Sequence, residues 1–158
     1  MHFYSLYPSP LGILTLTASE NALTGLYLPA QNFTPEGLTE ESGLPLFRAV
    51  KGWLDSYFEG SNPAVDFPIS AQGTPFQMRV WEILQTIPPG QSCTYGQIAA
   101  RLGNSRASQA VGQAVGRNPI SIIIPCHRCV GAGGRLTGYA GGLEAKQWLL
   151  RHEEVIKK

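Results

Sequence analysis

The chain has 158 residues, 43% of them hydrophobic, enough to bury the core of one or two compact domains without a disulfide framework. Its three cysteines, Cys93, Cys126 and Cys129, are an odd and sparse set that fits a reducing compartment and excludes a disulfide-stapled secreted scaffold. The net charge of +1 hides a division: residues 1–71 carry seven acidic and two basic groups, a net of −5, and the remainder four acidic and ten basic, a net of +6, which points to a polyanion met by the second half.

The opening "MHFYSLYPSPLGILTLT" has no basic n-region and no apolar run approaching a membrane span. A soluble, cytoplasmic protein with access to a nucleoid or nucleus is expected, with no membrane partner. In "FYSLYPSPLGILTLTAS" and "ALTGLYLP" apolar residues alternate with small or polar ones, which predicts strands joined by turns. From about Leu46 to Phe58 the period becomes helical, with Leu46, Val50, Trp53, Leu54 and Tyr57 at core spacing. The prolines and glycines of "EGSNPAVDFPISAQGTP" mark a connector, dividing the chain into an N-terminal domain over 1–71 and a C-terminal domain over 72–158.

Beyond the connector the pattern is mostly helical. "TPFQMRVWEILQTI" presents Phe76, Val80, Trp81, Leu84 and Ile87 on one face, with Thr74 as N-cap and Pro75 as first helical residue. "TYGQIAARLG" has Thr94 and Gln97 at capping-box spacing and stops at Gly103, which predicts two helical turns with Tyr95 near their exposed start. After "GNS", the alanine- and glycine-rich "RASQAVGQAVG" predicts another helix, flanked by Arg106 and Arg117, and the pair has the layout of a helix-turn-helix. A last helix is expected over about Leu143 to Glu153, with Leu143, Ala145, Trp148 and Leu149 inward. Before it lies "GAGGRLTGYAGG", six glycines in twelve residues, a loop able to fold over a small planar group beside Tyr139.

In "IIIPCHRCV" a cysteine stands directly against a histidine and an arginine, both able to stabilise a thiolate. Cys126 and Cys129 read as a redox or metal CxxC pair, as a nucleophile with a neighbour, or as core residues. Structural zinc needs four ligands, and Cys126, His127 and Cys129 supply three at crowded spacing. A thioredoxin-like pair belongs at an early strand-to-helix turn, and a Cys-His hydrolase recruits a distant histidine, so neither pattern fits. Nucleophilic catalysis without hydrolysis is left.

"PCHRCV" resembles the active-site signature of the O6-alkylguanine-DNA alkyltransferases, and "TYGQIA", "AVGQAVGRNPISIIIPCHR" and "GYAGGLEAKQWLLRHE" are similar to that family's segments in the same order, covering nearly all of residues 74–154. The resemblance implies an α/β fold with a ribonuclease-H-like small sheet plus helix, followed by a mostly helical, winged-helix-like domain. It implies stoichiometric, irreversible transfer of an alkyl group from O6-alkylguanine in double-stranded DNA to Cys126, with O4-alkylthymine a second substrate, no cofactor and no metal, by a monomer in the minor groove. His127 would deprotonate Cys126 through a bridging water, Glu153 would orient the imidazole, and Tyr95 would protonate or hydrogen-bond the departing guanine. Cys126 and Cys129 backbone, Tyr139 and Ala140 would read the flipped base, with Asn118 buttressing the turn. Asn104, Arg106, Gln109, Ala110, Arg117 and Arg128 would meet the DNA. Where the family has the arginine of "RAVG", this chain has Gln109, which can fill the gap left by the flipped base but brings no cation. The alternative is a non-catalytic binder of alkylated DNA, a class that lacks the nucleophilic cysteine.

Overall fold

Strand β1 (Phe3–Ser9) pairs antiparallel with β2 (Gly12–Ala18), which pairs antiparallel with β3 (Leu23–Tyr27); the short β4 (Thr39–Glu40) runs parallel to β1, giving the order β3-β2-β1-β4. The computed structural model describes residues 1–154, so the last four residues of the expected C-terminal domain lie outside it. Alternation buries Phe3, Ser5 and Tyr7 on β1 and Leu14 and Leu16 on β2. Helix α1 (Pro45–Phe58) lays Phe47, Val50, Trp53, Leu54 and Tyr57 against the core, each apolar side chain stabilising by roughly 1.5–3 kcal/mol. Leu46, expected inward, is half-buried. Phe47 takes the central position because residues 47, 50, 54 and 57 share one helical stripe and 46 lies at its edge.

The free edge of β3 receives two segments of the chain. The amide of Leu23 donates to the Pro68 carbonyl (2.9 Å) and that of Ser70 returns to Leu23 (2.8 Å), which fastens the connector. Farther along, the amide of Leu26 donates to the Pro119 carbonyl (2.9 Å) and that of Ser121 to the Leu26 carbonyl (3.2 Å). The sheet of the acidic half thus anchors the loop that leads to Cys126.

Helix α2 (Pro75–Leu84) is capped reciprocally by Thr74 and Gln77, and α3 (Tyr95–Arg101) by Thr94 and Gln97, as their spacing predicts. Gly103, at φ 80°, turns the chain away from α3. Helix α4 (Ser108–Gly116) completes the helix-turn-helix, and the Trp81 indole N–H donates to the Ala114 carbonyl (2.9 Å), locking α4 onto α2. Arg106 precedes the helix, its amide held by the Asn104 side chain (3.2 Å). Two short strands, β5 (Cys93–Thr94) and β6 (Cys129–Val130), pair in parallel beside this unit. The final helix, α5 (Leu143–Glu154), buries Lys146, Leu149 and Glu153, with Ala145 and Trp148 half-buried. Leu143, expected inward, is 50% exposed: as the first helical residue its side chain points back off the end of the helix. No helix among the described residues is long and apolar enough to cross a membrane.

Candidate active site

Every residue from Ile120 to Val130 is buried, although the first six of them form no helix or strand. Its backbone groups must therefore find partners locally. The Asn118 amide supplies several: its Nδ2 donates to the Ile124 carbonyl (2.8 Å) and the Ile120 carbonyl (3.4 Å), and its Oδ1 accepts from the Ile120 amide (3.0 Å). Two tight turns do the rest. The Ile123 amide donates to the Ser121 carbonyl (2.8 Å) across Ile122, whose φ of 72° is unfavourable for a β-branched residue. The Cys126 amide donates to the Ile124 carbonyl (2.8 Å) across Pro125, an inverse γ-turn at φ −81°, ψ 66°. Asn118→Ala is expected to lower stability by about 2 kcal/mol, because it strands the buried Ile120 amide, a loss worth roughly 1–3 kcal/mol, while the Ile124 and Ile120 carbonyls keep the Cys126 and Ile124 amides as donors. A guanidinium unfolding midpoint within error of the wild type would show that the turns hold themselves.

These turns deliver Cys126 to the start of a 3₁₀ turn, Cys126–Arg128, with the thiol only 3% exposed. Burial pushes its pKa up; the nearby Asn118 amide, the Tyr139 hydroxyl and the charge of Lys146 act the other way. Cys129, opposite Cys93 in the β5–β6 pair, is driven by burial and its neighbouring thiols up to about 12. All three cysteines are free and buried.

The side chains after Cys126 turn away from it, towards α5. His127 Nε2 lies 2.6 Å from Glu153 Oε2. Arg128 donates through Nε to Glu153 Oε1 (2.8 Å), through Nη2 to Oε2 (2.9 Å) and through Nη1 to the Ile87 carbonyl (2.5 Å). Burial alone would raise the Glu153 carboxyl, but the charge and hydrogen bonds of His127 and Arg128 outweigh it and hold the pKa near 2. An ionised Glu153 only accepts, so His127 carries its hydrogen on Nε2. Nδ1 is left with a lone pair and, among the described residues, no hydrogen-bonding partner. Burial lowers the His127 pKa against the opposing pull of Glu153, which keeps the free imidazole neutral.

Tyr139 packs against His127. Its ring stands edge-on to His127 with centroids 6.5 Å apart, and its hydroxyl is buried, like the Ser121 hydroxyl and His127 Nδ1, without a completed hydrogen bond. The ring can lie there because Gly141 has no side chain: a Cβ would stand 2.8 Å from Tyr139 Cε2 and about 3 Å from both Leu28 methyls. The Lys146 ammonium, also buried, donates to the Cys129 carbonyl (2.8 Å) and the Thr137 carbonyl (3.4 Å), tying β6 to the glycine segment. Thr137 Oγ1 shares a hydrogen bond with the Tyr95 hydroxyl, whose pKa burial raises. Tyr95 is half-buried at the start of α3.

The structure therefore gathers Cys126, His127, Glu153, Asn118 and Tyr139, with Tyr95 joined to the glycine segment through Thr137. Asn104, Arg106, Gln109, Ala110 and Arg117 are exposed on the α3–α4 unit, and Ala140 is exposed beside Tyr139. Arg128 is a correction. Expected at the DNA and as a partner of the thiolate, it is buried and its guanidinium is committed to Glu153 and Ile87, because the 3₁₀ turn directs it inward. Sequence reasoning missed Lys146, Ser121 and Thr137, and placed Tyr57 only as a core residue of α1. Lys146 follows the stripe of Leu149 and Glu153 on α5, and its burial could have been found from that spacing; the Ser121 and Thr137 side chains and the Tyr57 hydroxyl carry no local signal.

Residues 75–155 match the family profile described as the DNA binding domain of 6-O-methylguanine DNA methyltransferase, and residues 2–71 match its ribonuclease-like domain. A methylated-DNA–protein-cysteine methyltransferase of Mycolicibacterium paratuberculosis is 43% identical over 150 residues, covering 95% of this chain and 91% of the relative. The protein of that name from Haemophilus influenzae is 40% identical over 155 residues, covering 97% and 87%. The crystal structure of Mycobacterium tuberculosis OGT in complex with DNA superposes with a TM-score of 0.90 at 42% identity, covering 96% of this chain and 92% of that one.

Proposed function

The chain belongs to the 6-O-methylguanine DNA methyltransferase family, and from that premise we propose that it repairs DNA by direct reversal, moving the alkyl group of O6-alkylguanine onto Cys126 in one irreversible turnover. The observation that carries the reading is the neutral His127, the residue after Cys126, held by Glu153 through Nε2 with its Nδ1 lone pair free.

His127 Nδ1 takes the Cys126 proton through a bridging water, and the resulting imidazolium is stabilised by the ionised Glu153. The thiolate attacks the alkyl carbon, a sulfur–carbon bond forms, the carbon–O6 bond breaks, and its electron pair leaves with the guanine. Tyr95, kept protonated by its raised pKa, hydrogen-bonds or protonates N3 of the departing base. The thioether has no route to hydrolysis, so each molecule reacts once. O4-alkylthymine presents the same kind of carbon to the same nucleophile.

The reacting carbon lies within stacked duplex DNA, so the nucleotide is extruded into the pocket beside Tyr139 and Ala140, where backbone of Cys126 and Cys129 reads it. Lys146 occupies one lone pair of the Cys129 carbonyl and leaves the second. Helix α4 enters the minor groove, Ala110 allows close approach, Gln109 fills the vacated stack, and Asn104, Arg106 and Arg117 meet phosphates. A single chain suffices, working in a reducing cytoplasm with access to DNA.

The test is intact-protein mass spectrometry after incubation with a duplex containing O6-methylguanine. A methyl-sized increase mapped to Cys126 is expected. Binding without a mass increase would favour a non-catalytic reader of alkylated DNA.

A further inference from the structure

We infer that Tyr57, carried by α1 in the N-terminal half, is a positioning residue of the proton relay: its hydroxyl anchors Glu153 and sets how strongly that carboxylate draws a proton onto His127. The inference rests on the proposed role of His127 as the base. It begins with a buried polar atom. Tyr57 is 2% exposed, stacked on Trp53 at 5.4 Å and 6°, and edge-on to His152 at 5.1 Å. Its backbone is also held, since His152 Nε2 lies 2.6 Å from the Tyr57 carbonyl. Phenylalanine would fill that space equally well, so the hydroxyl is the informative atom. It donates to Glu153 Oε2 at 2.6 Å, across 96 residues of chain.

Oε2 therefore receives three donors: Tyr57, His127 Nε2 and Arg128 Nη2. Each donor absorbs part of the carboxylate's charge, so each weakens the pull exerted on the other two. Burial and the adjacent Glu153 raise the Tyr57 pKa far above the ordinary tyrosine value, so the hydroxyl keeps its proton and acts only as a donor. The groups facing His127 are Glu153 and Lys146 from α5, Arg128 from its own turn, and Tyr139 from the glycine segment. Those facing Glu153 are His127, Arg128 and Tyr57. Among the described residues, Tyr57 is the one contributor from outside residues 72–154 to this set. The ribonuclease-like half thus takes part in the chemistry as well as in the packing.

Tyr57→Phe removes the hydroxyl and keeps the ring. The two remaining donors then share a more negative carboxylate, the imidazolium is favoured and the His127 pKa rises. Neutral His127 is reached only at higher pH, so the acid limb of the single-turnover rate profile should move up by about half a pH unit, with its plateau within about threefold of wild type. Nitrogen NMR of His127 in the unreacted protein should show the same upward displacement without any turnover. Trp53→Phe is the packing control: it loosens the wall beside Tyr57 but keeps the hydroxyl, so it should lower the melting temperature and leave the limb in place. Superimposable limbs and His127 signals for wild type and Tyr57→Phe would overturn the inference, as would an equal displacement in Trp53→Phe. A wild-type protein that gains no methyl group would instead sink the transfer reading itself.

Discussion

Cys126→Ala is expected to reduce alkyl transfer to less than about one part in 10³ of the wild-type rate, because no other thiol can take over the attack. Cys129 is the nearest alternative in sequence, yet its pKa stands at about 12, and Cys93 is likewise raised by burial. Burial raises Cys126 as well, but only Cys126 is followed by a histidine with a free lone pair to draw off its proton. Affinity for duplex DNA should stay within about twofold, since Asn104, Arg106, Gln109 and Arg117 are exposed on the α3–α4 unit and owe nothing to the sulfur. Losing one buried atom costs about 1 kcal/mol, too little to unfold the domain. Single-turnover transfer and fluorescence anisotropy on the same duplex make the comparison. Transfer surviving at a tenth of the wild-type rate would move the nucleophile to another residue.

Glu153→Gln combines two effects that different measurements separate. The relay loses its anion, so transfer should slow by about 10²-fold or more. Arg128 loses its charge partner while remaining buried, which should lower stability by about 3 kcal/mol. The second effect has a pH signature. The Glu153 carboxyl is depressed from 4.5 to about 2 by folding, so its contribution is complete above the unfolded value and lost as pH falls through the folded one. Over that window the depression corresponds to about 3 kcal/mol, in line with the cost of stranding Arg128. Urea midpoints for Glu153→Gln should therefore fall much less steeply than wild type between pH 4.5 and about 2. Parallel slopes would mean that Glu153 is not the group whose protonation loosens the fold, and a wild-type transfer rate would dismantle the relay.

The parts of the fold that were legible in the sequence are those written in local chemistry. Thr74 with Gln77 and Thr94 with Gln97 announce helix starts because a cap needs partners three residues apart, and both caps form. Cys126 and His127 were legible because a thiol next to a base is unusual. Arg128 was misassigned for a related reason: an arginine in a basic half of the chain reads as a phosphate contact, while its burial depends on Glu153, 25 residues away. Tyr57 illustrates the limit more clearly. Its place on the α1 stripe identifies a core residue, and nothing in that stripe says that its hydroxyl will end on a carboxylate of the last helix. Lys146 lies on the buried stripe of α5, and the Cys129 and Thr137 carbonyls, which no local pattern announces, are what satisfy its cation inside.

The β5–β6 pairing has an evolutionary corollary. Each strand is two residues long, yet matching Cys93 to Cys129 and Thr94 to Val130 sets where Tyr95 stands relative to Cys126. That spacing is held by backbone bonds, so the side chains at 93 and 129 need only be small and apolar enough for their buried places. A single codon gained or lost within 93–95 or 126–130 is another matter: a one-residue slip would turn each side chain to the opposite face and separate the thiol from the phenol. Descendants of this chain should therefore diverge here by substitution. Changes in length belong in the exposed stretch 132–136, ahead of Thr137, where loop closure adds little for each extra residue.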